Sequence, residues 1–132
     1  MTARAALLLA VGTVAFAPAG RSRVASGTWA GEHVHLEVSG AGARVEFDCA
    51  HGTIDEPMVL DRRGRFDLRG TYVREHGGPV RADEPPGGAP ARYAGRARGR
   101  TMTLTVVLTG AGERIGSFAL VRGAATRLHK CR

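Results

Sequence analysis

The chain has 132 residues and a mass of 13.9 kDa, with 43% apolar and 23% charged residues; that accommodates one small globular domain and excludes a multidomain enzyme. Its 19 glycines and 6 prolines, set against one Trp, two Tyr and four Phe, favour turns and a modest core over long helices, and the lack of a three-residue glycine period excludes collagen. The formal charge of +7 is no binding signal by itself, because every basic residue except Lys130 is Arg in a chain rich in Ala and Gly, a composition typical of a GC-rich genome. The arginines are interleaved with acids and lack the stacking aromatics of a nucleic-acid site, so nucleic acid is not an expected partner.

At the N-terminus Arg4 precedes an apolar run from Ala5 to Ala17, which passes into the small residues Ala17-Pro18-Ala19-Gly20. A basic start, a short apolar stretch and an Ala-x-Ala form the layout of a secretory signal peptide. The run falls short of the ~20 residues of a membrane span. Residues 1–19 are therefore expected to be a signal peptide cut after Ala19, and residues 20–132 a single domain exported to the periplasm or the medium. With no cysteine near the cleavage region to carry a lipid, no stable membrane anchor is expected. In an oxidising compartment Cys49 and Cys131, the only cysteines, are expected to form a disulfide.

Beyond Gly20 no helical period persists, whereas alternation by twos recurs throughout. A first strand holds Gly27-Thr28-Trp29. A hairpin over Glu32–Cys49 turns at Ser39-Gly40-Ala41-Gly42, and its expected register places Val34, Leu36 and Val38 opposite Phe47, Val45 and Ala43. On the other face His33 meets Asp48, His35 meets Glu46 and Glu37 meets Arg44, so every pair but the terminal Glu32 and Cys49 is apolar or complementary. A second hairpin turns at Arg62-Arg63-Gly64, pairing Leu60 with Phe66 and Met58 with Leu68. A third turns at Gly99-Arg100, a type II′ sequence, pairing Ala97 with Met102, Gly95 with Leu104 and Tyr93 with Val106. The chain then turns at Gly110–Gly112 into Ile115–Val121, and a last strand is drawn through Thr126–Cys131. Residues 76–92, with four prolines and four glycines, read as a long loop.

About eight short strands in hairpin order have two edges to hide, and closure into a small antiparallel up-and-down β-barrel removes them. A β-sandwich is the alternative. Gly27-Thr28-Trp29 near the start of such a barrel resembles the calycin group of lipocalins, avidins and fatty-acid-binding proteins, as do Gly64-Arg65-Phe66 to Gly70-Thr71-Tyr72 and Ala91-Arg92-Tyr93-Ala94-Gly95, which are avidin-like in spacing. The resemblance implies a Trp closing one barrel end with an Arg of the last strand packed on it, here Arg122 or Arg127. It carries over no biotin contacts, and the Thr-Asp-Tyr motif of lipocalins is missing. The string Phe47-Asp48-Cys49-Ala50-His51-Gly52-Thr53-Ile54 is similar to segments of small exported bacterial proteins of unassigned activity.

Two constellations bear on function. His33-x-His35 on a strand, with Glu46 and Asp48 across the ladder, offers two imidazoles and a carboxylate as candidate ligands for Zn or Cu; complementary pairing on a polar outer face explains the same residues. The loop at 76–92 covers a barrel mouth in the second constellation. There Tyr72, Arg74, His76, Arg81, Asp83 and Glu84 supply polar contacts, and Trp29 and Tyr93 complete the candidate ligand-binding set. Asp55-Glu56 and Asp83-Glu84 are adjacent acids that face opposite ways on a strand, and the serines lack nucleophile-elbow glycines. Phosphate-loop and dinucleotide motifs are missing too, so no catalysis and no cofactor are expected. The reading is an exported barrel that binds a small apolar or amphipathic molecule in an interior lined by Val34, Leu36, Val45, Phe47, Leu104, Val106, Phe118 and Leu120. The alternatives are a structural or protein-interaction module of the cell envelope, and a metal-binding protein using His33 and His35.

Overall fold

Alternation of buried and exposed side chains resolves into eight strands: β1 (Gly27–Gly31), β2 (Val34–Val38), β3 (Ala43–Phe47), β4 (Ala50–Ile54), β5 (Arg65–Arg74), β6 (Ala89–Arg98), β7 (Thr101–Leu108) and β8 (Glu113–Arg122). In this computed structural model, which describes residues 2–3, 5–6, 9–13, 22–76, 79, 82 and 87–131, the strands pair antiparallel in chain order and β1 closes onto β8. The expected up-and-down barrel is the fold. Most of the proposed signal peptide, including Arg4 and residues 14–19, lies outside the described residues.

Register follows the patterning wherever both faces are specified. Val34 stands opposite Phe47, Leu36 opposite Val45 and Val38 opposite Ala43, while His35 meets Glu46 and Glu37 meets Arg44. A slip by one residue would turn every one of these apolar side chains to solvent. The third hairpin is also as expected, with Ala97 opposite Met102 and Tyr93 opposite Val106. Gly99 has φ +58° while Arg100 has no positive φ, in keeping with a type II′ turn. Between β7 and β8 the ladder carries a bulge at Val106/Val107.

Four expectations need correction. The partner of β5 is β4, with Ile54 opposite Gly70, and not Met58–Leu60. Pro57 has no N–H to give a ladder, and residues 57–60 swing away to pair with the segment before β1: Val24 N–H donates to Met58 and Leu60 N–H to Ser22. Val24 and Met58 are thereby buried at the end of the barrel where Trp29 lies. Second, Thr126–Cys131 is no strand; after β8 the chain doubles back as a strap, joined to the barrel edge by the bridge of Arg127 to Glu32. Third, the Pro/Gly-rich loop is shorter than 76–92, because Ala89–Arg92 already belong to β6. Pro90 is tolerated two residues into that strand, and its carbonyl accepts from Thr109 N–H. Fourth, the strand of the first hairpin starts at Val34: Glu32 and His33 form the β1–β2 turn, with His33 at φ +67°.

Candidate functional site

An eight-stranded barrel has an interior wide enough either to be filled by its own side chains or to hold one small ligand. Here the inward faces meet one another. Trp29, Tyr93, Leu36, Leu104, Leu120, Val34, Val45 and Val106 are the largest fully buried side chains. The Tyr93 ring on β6 reaches across two neighbouring strands onto Gly70 and Gly52, where an added Cβ would collide with it. Its hydroxyl donates to the Thr71 carbonyl at 2.6 Å, and burial pushes its ionisation well above that of an ordinary phenol. The Phe66 ring lies in the same way against Gly95.

Each end is closed by an aromatic residue. Trp29 donates its indole N–H to the Ala25 carbonyl at 2.9 Å. Of the two arginines the sequence left open, Arg122 stands opposite Trp29 in the β1–β8 ladder and its guanidinium donates to Ser26 at 3.3 Å; Arg127 lies in the strap. At the other end Phe47 touches both Tyr72 and Phe118, with ring centroids 5.4 and 5.3 Å apart, so rings from β3, β5 and β8 meet across the mouth. Arg74 lies over the Tyr72 ring at 5.7 Å and pairs with Glu113 at 2.8 Å. Of the candidate ligand-binding residues, Trp29, Tyr72 and Tyr93 are therefore core, and Arg74 caps the Tyr72 end from outside. His76 is exposed just beyond β5, and Arg81, Asp83 and Glu84 lie outside the described residues.

The four candidate metal ligands are dispersed. His33 Nδ1 lies 2.6 Å from Asp48 Oδ2, His35 Nδ1 lies 2.8 Å from the Thr126 hydroxyl, and Glu46 pairs with Lys130 at 2.6 Å. His33, in the left-handed turn, does not share the strand face of His35. Among the described residues no three His, Cys, Asp or Glu side chains are grouped to hold a metal.

These residues instead anchor the strap. The disulfide joins Cys49, in the two-residue β3–β4 turn, to Cys131. His129 N–H donates to Asp48 at 2.8 Å, and His33 N–H donates to the Arg127 carbonyl at 3.1 Å. Lys130 reaches Glu46, Glu75 and the Ala50 carbonyl, and Glu75 also meets His51 at 2.7 Å. The His129 N–H, outweighing desolvation and aided by His33, holds Asp48 below the usual carboxylate range. Desolvation pulls Glu75 upward, yet His51 and Lys130 bring it below its ordinary value. Sequence reasoning missed the grouping of His51, Glu75, His129 and Lys130, since folding gathers them from three separate segments; the one available signal was that Lys130 is the sole lysine.

No protein-family model, no characterised protein and no solved structure matches the chain. Among the described residues no helix is long and apolar enough to cross a membrane.

Proposed function

We propose that the protein is an exported, non-catalytic β-barrel module that meets its partner with its outer surface, within the cell envelope or outside the cell. The observation that carries this reading is the occupied interior: Tyr93 over Gly52 and Gly70, Phe66 over Gly95, and the Phe47, Tyr72 and Phe118 rings across one mouth. The side chains that would line a ligand chamber pack on one another instead, which favours an interaction module over a carrier of small apolar molecules. Export is supported by the disulfide, which suits an oxidising compartment, and by the exposure of Leu9 and Val11 in the leader, apart from the core. The placement of Arg122 opposite Trp29 supports a calycin-like ancestry for the barrel. Native mass spectrometry of the protein purified from its own host tests the reading. The expected spectrum shows the oxidised polypeptide alone, and a stoichiometric apolar molecule released on denaturation would overturn it.

A further inference from the structure

The outer face of β5 and β6 sets like charges directly across the ladder, with Arg65 opposite Arg96 and Arg69 opposite Arg92. Such pairs are unfavourable unless counter-charge meets them. Three of the four are met within the chain: Arg65 by Asp61 at 3.4 Å, Arg69 by Glu56 at 3.4 Å and Arg92 by Asp67 at 2.8 Å. The guanidinium of Arg96 has no hydrogen bond or ion pair among the described residues, and neither do those of Arg23 and Arg62. All three line one surface groove of about 1580 Å³, where the arm formed by residues 22–23 and 56–62 meets the outer face of β5–β7. The acids on its walls are already committed. Glu56 accepts from the backbone N–H of Arg69, and Asp61 accepts from those of Arg63 and Arg65. Residues scattered through the sequence are thus gathered by folding into a concave site with surplus positive charge.

We propose that this groove binds an extracellular acidic polysaccharide through its carboxylates, an assignment that rests on the outer-surface reading above. Guanidinium groups match carboxylates in bidentate geometry. Thr103, opposite Arg96 in the β6–β7 ladder and part of the groove wall, adds a hydroxyl suited to a sugar hydroxyl. Three unmatched guanidinium groups, brought by the segment before β1, the segment after β4 and β6, share this groove of about 1580 Å³. A repeating polyanion carries enough carboxylates to meet all three, and a single small anion does not. Two other polyanionic partners fit less well. No Phe, Tyr or Trp ring is exposed among the described residues and no histidine lines the groove, so bases have nothing to stack on there, and Val121 is the one large exposed apolar side chain of the barrel, too little to enter a lipid surface.

The test uses the full oxidised chain with polygalacturonate oligosaccharides, neutral dextran and a thymidine oligonucleotide of matched charge, followed by calorimetry. Saturable binding of polygalacturonate that weakens as salt rises is expected, with none to dextran and weaker binding of the oligonucleotide. Arg62→Ala combined with Arg96→Ala, both exposed and structurally unpartnered, should lower the affinity at least about tenfold while the melting temperature is kept. The proposal is overturned by three results: no saturable polygalacturonate binding, equal affinity in the double variant, or an oligonucleotide that binds as tightly. Failure with a ligand-free sample overturns the groove assignment alone, whereas an apolar molecule found in that sample overturns the outer-surface reading.

Discussion

Tyr93 on β6 and Gly70 on β5 share one patch of the barrel interior: the Cε2 atom of the ring lies 3.0 Å from where a Cβ of Gly70 would stand, and the Thr53 carbonyl oxygen blocks the same point from the β4 side. A tightly curved eight-stranded wall brings neighbouring backbones this close only where a side chain is missing, and the aromatic ring of the next strand covers the bare backbone.

Gly70→Ala therefore forces either the Thr53 carbonyl or the Tyr93 ring to move. A loss of about 1–3 kcal/mol is expected, as for overpacking of a dense core. Urea denaturation measures it. Gly40→Ala, at a turn position with open space around it, should cost far less. Equal losses at the two positions would show that the ring–glycine contact does not hold the wall together.

The strap depends on the disulfide. Cys49 and Cys131 are 82 residues apart, and closing a loop of that size contributes up to about 4 kcal/mol through the entropy of the unfolded chain. Replacing both cysteines by Ser should lower the stability toward that limit. It should also raise hydrogen exchange at the His33 and His129 amides, which donate to Arg127 and Asp48, while the amides of β6 and β7 stay protected. If exchange rose uniformly across the barrel, the strap would be an integral part of the fold rather than a layer pinned on its outside.

Acid should loosen the same layer. Asp48 is held below its ordinary value chiefly by the His129 N–H, against desolvation, and Glu75 is brought below its own by His51 and Lys130 despite desolvation. Unfolded, both carboxylates return to ordinary values and take up protons at a higher pH than the folded chain does. Their stabilisation is thus complete above the ordinary carboxylate range and is lost as pH falls through that range into the lowered one. Lys130 behaves oppositely: Glu46 and Glu75 raise it despite desolvation, so its share is present below the ordinary lysine value and fades as pH climbs past it. Comparing thermal melts of the native chain with Asp48→Asn and Glu75→Gln at about pH 7 and about pH 2.5 checks the first statement. The native chain should be the more stable at the higher pH and the gap should close in acid; a gap that persists in acid would refute it.

Local rules reached a good part of this structure. The β2–β3 register was readable because Val34, Leu36 and Val38 and their partners alternate with charges that also match across the strands. The Gly99-Arg100 turn was readable because a glycine stands where a positive φ is needed. The β3–β4 turn was not, since Asp48-Cys49 lacks the glycine that marks a two-residue hairpin; it is braced from 82 and 81 residues away by the disulfide and the His129 N–H. The segment after β4 misled for a related reason. Met58 and Leu60 have the alternation of a strand but find their partners in Ser22 and Val24, which no local pattern identifies.

The same division separates what the sequence by itself determined from what only the tertiary structure decided. Side-chain alternation and glycine placement act between neighbours, and they sufficed for the β class, the barrel and two of the three hairpin registers read from them. Whether the interior is filled, which residues share a site and where surplus charge collects depend on contacts between distant segments. Tyr93 meets Gly52, Lys130 meets Glu46 and Glu75, and Arg23, Arg62 and Arg96 converge on one groove. None of these follows from spacing along the chain, because the closed barrel, the disulfide-pinned strap and the arm formed by residues 22–23 and 56–62 together set the distances between them.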